Sequence, residues 1–185
     1  LLWSFASVAI TKGAACFIKY QNLILNLNVP LSMHVMRDLI GVILRLFAQA
    51  TVLVVVVAFL DVQASPVMLL AIPGLLVGIV ASFALMMILA VIGVIVRDLH
   101  FALGAVMRFL FFASPVFWAP TGEGLRLYIA VLNPLTHFME IVRAPLLGLP
   151  PNPDSWLVVG VITVTITPLA AWLFATKKNS IPFWL

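Results

Sequence analysis

The sequence predicts an all-α integral membrane protein, a bundle of five membrane-spanning helices with short re-entrant helices on the outer face before the last span. Hydrophobic residues make up 64% of the 185 residues and charged residues only 9%, whereas soluble domains carry about 25% charged residues. Apolar runs of span length recur along the chain, and one proline-rich segment between the last two runs is too short to cross. We expect a single transmembrane domain over residues 1–185.

Five apolar runs approach the length needed to cross a bilayer core of about 30 Å. They are predicted at residues 1–19, 38–60, 67–96, 101–118 and 155–175. Eight Lys and Arg residues lie on the side that holds segments 20–37 and 97–100, and two lie on the other side. Because cytoplasmic loops carry the excess of Lys and Arg, we expect Leu1 outside and Leu185 in the cytoplasm.

Segment 119–153 contains two short amphipathic stretches interrupted by prolines. Asn133 and Pro134 predict a helix start, because Asn caps free N–H groups and proline loses no hydrogen bond at the first helical position. Pro145 predicts the end of this helix, which makes residues 134–144 about 16 Å long. Such a helix is too short to cross, so we expect a re-entrant hairpin that forms the mouth or gate of a path.

Polar and small residues recur at helical spacing in two of the predicted spans. The second span carries one polar face, formed by Asp38, Gly41, Arg45 and Gln49. Intramembrane charges usually face a cavity or a partner, although Arg45 alternatively reaches the lipid headgroups. A row of small residues in the third span permits close approach of another helix, and its members are Gly74, Gly78 and Ser82.

The sequence lacks the motifs of several large enzyme classes. It contains no Gly-x-x-x-x-Gly-Lys-Ser/Thr loop, no His-Glu-x-x-His and no Gly-x-Ser-x-Gly. His137 and Glu140 alone are too few for a metal, and a Glu140–Arg143 ion pair is the simpler interpretation. The single cysteine, Cys16, excludes an internal disulfide. We expect no enzyme activity, no cofactor and no nucleic-acid partner, with intramembrane catalysis by scattered residues as the open alternative.

Residues 132–148, LNPLTHFMEIVRAPLLG, closely resemble the outer segment of type-2 ABC exporter permeases. Residues 95–120 and 22–30 resemble the same family, and the most similar branch exports lipid-linked polysaccharides such as O-antigen, capsule and teichoic acid. The resemblance implies a homodimer of six-span subunits in the bacterial inner membrane, with two copies of a separate ATPase subunit that binds the ATP. The family's first span and the amphipathic helix before it are missing here, which suggests an N-terminal truncation.

The resemblance also implies roles for two groups of residues, and the exporter hypothesis suggests a third group that forms the substrate path. Coupling to the ATPase would involve Asn26, Asn28, Pro30, Arg37, Arg97 and Asp98. The outer gate would involve Asn133, Pro134, His137, Glu140, Arg143 and Pro145. The substrate path would involve Arg45, Arg108, Phe109, Phe112, Phe117 and Trp118. The guanidinium groups would attract a phosphate-linked lipid head, and the aromatic rings would stack on sugars.

Each of these assignments has a structural alternative. Segment 20–37 is otherwise an ordinary linker, and the aromatic residues of the fourth span otherwise pack or face lipid. Two other functions also stay open: an exporter of a drug, haem or small lipid with the same fold, and a structural membrane subunit without a path. A structural subunit would merely pair the polar face of the second span inside the bundle.

Overall fold

The computed structural model describes residues 1–27, 29–59, 65–115 and 125–185. Asn28, Phe117, Trp118, residues 119–124 of the predicted hairpin and most of the predicted turn after the second span lie outside these ranges. Every regular element within them is helical, as the sequence predicts. The helices are α1 (Leu2–Lys19), α2 (Gln21–Asn26), α3 (Leu31–Phe59), α4 (Ala71–Ile95), α5 (Leu99–Ala113), α6 (Leu125–Leu132), α7 (Pro134–Leu146), α8 (Pro153–Lys177) and α9 (Ile181–Trp184).

Helix α4 is the centre of the bundle. It packs most extensively on α1 and α8, and it also contacts α3, α5, α7 and α9. A five-residue 3-10 helix, Pro66–Leu70, precedes it, and the two together form the third predicted span. Because α4 is apolar on every side, it can be buried between neighbours rather than present one face to a core.

Helices α1 and α4 approach each other backbone to backbone. A Cβ atom added at Gly13 of α1 would lie 2.9 Å from the Cα atom of Met86. Farther along, a Cβ atom at Gly93 of α4 would overlap the carbonyl of Ala14. Small residues at such positions let helices in a membrane approach closely and gain dispersion contacts. The two helices therefore form a tightly packed pair.

Three predicted spans have the length and composition to cross a membrane, namely Leu31–Val55, Pro66–Ile95 and Pro153–Lys177. Their outward side chains are apolar, and Val54 and Val164 are 66% and 73% exposed, as expected where lipid covers the surface. Helix α1 has 18 residues and α5 has 15. At about 1.5 Å per residue α5 is only ~22 Å long, so a crossing by α1 or α5 stays a prediction.

The helix of the second predicted span begins earlier than predicted. The sequence assigned residues up to 37 to a cytoplasmic segment and began the span at Asp38, but α3 runs without a break from Leu31. Pro30 directly precedes α3, and neither Gly nor Pro interrupts the chain between it and Gly41. Without a residue that disfavours helical backbone there, the helix continues.

The end of α7 also differs from the prediction. The helix includes Pro145 and ends at Leu146, and Gly148 follows with φ of +76°. The backbone N–H groups of Gly148 and Leu149 donate to the carbonyls of Pro145 and Ala144 at 2.8 and 3.0 Å. This Schellman cap requires a residue with positive φ, which glycine supplies. The cap therefore ends the helix, which at about 20 Å is still shorter than a bilayer core.

Candidate functional site

The hairpin of α6 and α7 bends at Asn133. The Asn133 side chain accepts a hydrogen bond from the backbone N–H of Leu135 at 3.0 Å, and Pro134 occupies the first helical turn, which confirms the predicted helix start. The same side chain uses its amide nitrogen to donate to the Ser114 hydroxyl at 2.7 Å, and both side chains are buried. One asparagine therefore caps α7 and fixes it to the end of α5.

Two further side chains of α7 bind neighbouring elements. The Arg143 guanidinium donates to the Pro115 carbonyl at 3.2 Å. The His137 ring lies 3.0 Å from the Ser155 hydroxyl and 2.9 Å from the Val131 carbonyl. Since a carbonyl only accepts, His137 Nε2 donates to Val131, which leaves Nδ1 of a neutral ring as acceptor from the serine. We call the hydrogen bonds that Asn133, His137 and Arg143 make to other elements the outer ties.

The predicted ion pair between Glu140 and Arg143 is absent. Among the described residues the structure contains one ion pair, between Lys19 and Asp38. Arg143 instead reaches the chain end of α5, where a carbonyl freed from helical bonding needs a donor. In the same ranges, no three His, Cys, Asp or Glu side chains lie close enough together to hold a metal ion.

Helix α7 rests on α4 at a glycine. A Cβ atom at Gly74 would lie 2.7 Å from the Ile141 carbonyl oxygen and 3.3 Å from a methyl group of Val142. Proline at position 145 has no N–H, so the Ile141 carbonyl has lost its usual donor four residues ahead. The backbone group that Pro145 leaves without this partner is thus the one that lies against Gly74, in the small-residue row predicted from the sequence.

At the opposite end of α4, Asp38 joins α1 to α3. Its side chain is 4% exposed, and one carboxylate oxygen accepts from Lys19 Nζ and from the Tyr20 hydroxyl, both at 2.9 Å. The second carboxylate oxygen is buried without a hydrogen-bond partner. Buried charges persist where partners compensate them, so Asp38 holds the end of α1 against α3.

The aromatic ring of Tyr20 is also surrounded by basic groups. The His34 ring stacks on it with centroids 5.2 Å apart. Lys19 Nζ and Arg37 Cζ lie 4.6 and 5.2 Å from its centroid, which is within the range of cation–π attraction. We call these residues together the inner cluster, and its members are Lys19, Tyr20, His34, Arg37 and Asp38.

The two predicted coupling segments lie side by side. Gln21 of the first and Arg97 of the second line one recess of about 190 Å³, and the C-terminal residues Trp184 and Leu185 complete it. The other predicted coupling residues within the described ranges are exposed, namely Asn26, Pro30, Arg37 and Asp98. The structure thus presents both segments on one surface, together with α9.

Helix α4 separates this surface from the hairpin. The hairpin packs on the start of α4 near Ala71 and Gly74, whereas the coupling segments lie at its end near Val94 and Arg97. The helix has 25 residues, or about 37 Å at ~1.5 Å per residue. That length exceeds a bilayer core of about 30 Å, so the two sites lie at opposite ends of the bundle.

Comparison with known proteins identifies the family. Residues 21–147 match the family described as ABC-2 type transporter, which is more than half of the chain. The chain belongs to the ABC-2 type transporter family. No curated protein matches it. It is therefore a multi-pass membrane permease of the ABC exporter class, and permeases of this family normally pair with an ATP-binding cassette subunit.

In this ABC-2 permease, the predicted path residues within the described ranges are exposed. Phe109 and Phe112 are 80% and 72% exposed. Arg108 is exposed and borders a surface recess with Trp3 of α1. Arg45 is exposed on α3. Helices α3 and α5 both pack on α1, so these residues lie on outward faces of two helices that flank the same neighbour.

The rest of the polar face on α3 is turned toward α1. Gln49 accepts a hydrogen bond from the Ser4 hydroxyl at 2.8 Å, and a Cβ atom at Gly41 would lie 3.9 Å from Lys12 Nζ. Asp38 belongs to the inner cluster. Arg45 has no hydrogen bond or ion pair with any part of the chain that the structure describes. Among the polar side chains of this predicted face, it is the one without a polar partner in the described residues.

Several residues of the permease sites were not predicted from the sequence. Ser114, Ser155 and Tyr20 accept or donate in the outer ties and the inner cluster, at sequence separations of 18 or 19 residues. No local pattern marks such pairs. The order of the spans could have predicted the inner cluster, because two consecutive antiparallel spans must bring the end of the first beside the start of the second.

Proposed function

We propose that this permease exports a lipid-linked polysaccharide of the O-antigen, capsule or teichoic acid type, as a homodimer with two copies of a separate ATPase subunit in the bacterial inner membrane. The observation that carries the proposal is the placement of the outer ties and the coupling surface at opposite ends of α4. A motor on the cytoplasmic side and a closed gate on the other side require such an arrangement. The substrate itself is inferred from the resemblance of the hairpin and of segment 95–120.

In the proposed mechanism, closure of the ATPase subunits pushes on α2 and on the turn at Arg97 and Asp98. The tightly packed pair of α1 and α4 transmits the displacement, because packed helices move as rigid bodies rather than bend. The hairpin then opens by release of the outer ties. A net contribution of about 0.5–1.5 kcal/mol for each hydrogen bond is small enough for them to break and re-form in every cycle.

Arg45 and Arg108 are proposed to attract the phosphate groups of the lipid carrier. Both are exposed and neither has a hydrogen bond or an ion pair within the described residues, so both guanidinium groups remain available for an anion. A charge within a span is costly and usually has a functional partner. The exposed rings of Phe109 and Phe112 are proposed to contact the sugars without selecting one sequence of the polymer.

The partners of Asp38 and Gln49 are what a purely structural subunit would also show. Arg45 differs from them, since pairing inside the bundle does not account for it. A drug, haem or small-lipid cargo would not require nearby genes for glycan synthesis, so the gene neighbourhood separates these cargoes from a glycan. The resemblance of the hairpin and of segment 95–120 favours the glycan, which we retain as the proposed cargo.

Glutamine variants of the two arginines test the path. Arg45→Gln and Arg108→Gln should lower export of the surface glycan, detected with antiserum on intact cells, while dimer formation and copurification with the ATPase stay unchanged. Lys178→Gln is the matched control, because it removes an exposed cation beyond the last span. Normal glycan export in both arginine variants would remove the proposed role.

Cysteine labelling tests the proposed orientation. Cys16 is fully buried and is left in place. A membrane-impermeant maleimide should label Leu147→Cys, at an exposed position beside the hairpin, in intact cells. Arg97→Cys on the coupling surface should react only after permeabilisation. The reverse pattern would place the hairpin in the cytoplasm and would contradict the exporter mechanism.

A further inference from the structure

An apolar cavity of about 400 Å³ lies between α1, α4, α7 and α8. Ile10 lines it from α1, Gly78 and Ser82 from α4, and Phe138 from α7. No charged side chain lines it, and its polar groups are the Ser82 hydroxyl and the indole N–H of Trp3. An ordered water needs two to four polar partners, so the walls favour an apolar occupant over water.

The dimensions of the cavity select a thin molecule. On α4 its lining extends from Gly74 to Met86, which is about 18 Å along a helix. This volume of about 400 Å³ is the space open to the centre of a water-sized sphere, and spread over the length it corresponds to a channel about 8 Å wide. A helix with side chains is at least ~10 Å across. A single unbranched hydrocarbon chain fits this space, and a helix from a second copy does not.

The position of the cavity indicates which leaflet of the membrane its occupant comes from. Its lining begins at Leu2 and Trp3 on α1 and at Gly74 on α4, at the hairpin end of the bundle. From there it extends about 18 Å into a bilayer core of about 30 Å. A lipid whose headgroup lies at the hairpin end can therefore place one tail along the cavity. In a multi-pass membrane protein, phospholipid supplies the surrounding hydrocarbon.

We propose that this cavity binds one acyl chain of a phospholipid from the leaflet on the hairpin side. The bound chain packs between α4 and α7, where it contacts Leu135, Phe138 and Met139. It therefore supports α7 in the position that the outer ties also stabilise. A role of the lipid in holding the gate closed rests on the proposed function, whereas binding of the lipid does not.

A photoactivatable lipid tests the site. The chain is reconstituted in nanodiscs of phosphatidylethanolamine that include the same lipid with a diazirine near the end of one acyl chain. After illumination, mass spectrometry locates labelled peptides. Gly78→Leu should fill the cavity without moving the backbone, because a Cβ atom at Gly78 meets no atom within 4 Å. Gly104→Leu on α5 is the control, since its Cβ atom also meets open space but lies outside the cavity.

The proposal expects labels on the α4 and α7 peptides that line the cavity. Because a leucine side chain takes the space of several methylene groups, Gly78→Leu should reduce these labels about tenfold, and Gly104→Leu should leave them unchanged. Ser82→Leu is a second filling variant and should act in the same way. Equal labelling in all variants would overturn the site. So would preferential labelling by a polyprenyl-phosphate probe in a parallel sample, or crosslinks from the cavity to a second copy of the chain.

Discussion

Replacement of Gly74 by alanine should push α7 away from α4. The added Cβ atom would lie 2.7 Å from the Ile141 carbonyl oxygen, and ordinary contact begins at 3.4 Å, so the hairpin backbone must move by about 0.7 Å in a close-packed interface. Overpacking of this kind costs about 1–3 kcal/mol. Alanine in place of glycine within a helix also stabilises the folded state by about 0.5–1 kcal/mol, which offsets part of this loss. We therefore expect a net loss of about 0–2.5 kcal/mol in the free energy of unfolding.

Gly78 provides the control for this variant, one turn later on the same helix. A Cβ atom there meets no atom within 4 Å, so Gly78→Ala should stabilise the protein by about 0.5–1 kcal/mol. Both variants gain the same stabilisation from the higher helix propensity of alanine. The difference between their unfolding free energies, about 1–3 kcal/mol, therefore measures the contact between Gly74 and α7. Steric trapping in bicelles measures the unfolding free energy of each. Equal values for the two variants would refute the inference that α7 rests on Gly74.

Three further variants probe the packing at other places. Gly93→Ala should lower the free energy of unfolding by about 1–3 kcal/mol, because the added Cβ atom overlaps the α1 backbone, whereas Gly104→Ala should not lower it. Equal unfolding free energies of the two variants in bicelles would contradict the tight helix pair. Asp38→Ala should cost about 2–3 kcal/mol, because a buried tyrosine hydroxyl loses its acceptor, and the exposed Asp98→Ala should stay within about 0.5 kcal/mol. Asn133→Ala should cost about 1 kcal/mol, with faster amide exchange in the first turn of α7 than in its last turn; unchanged exchange would argue against the cap.

The sequence predicted those features that local chemistry determines. Asn133 and Pro134 start α7 because capping depends only on neighbouring residues. A similar local rule accounts for the end of α5, where Ser114 has extended backbone, because the residue before a proline avoids helical conformation. Apolar runs of span length predicted the third and last spans to within two residues at each end. Periodicity also predicted that Gly74 would allow a close helix contact.

The sequence could not predict features that depend on tertiary contacts. Arg143 has Glu140 at a suitable helical spacing, yet it binds the Pro115 carbonyl, which lies 28 positions away in the chain. An exposed ion pair is worth little, so a buried carbonyl without a donor competes successfully for the arginine. The cavity beside Gly78 was equally hidden, since a row of small residues predicts a packed helix and does not show where the neighbour is absent.

Helix α4 carries three glycines that set different distances to its neighbours along the bundle. At one end Gly93 fixes the distance between α1 and α4, and at the other Gly74 fixes the distance between α4 and α7. Between them, Gly78 faces an open cavity. Helix α7 is held by the close contact at Gly74, by apolar packing on Ala71 and Val159, and by the outer ties. In the proposed mechanism, motion of α1 therefore reaches α4 through direct backbone contact, and the hairpin moves relative to the α1–α4 pair.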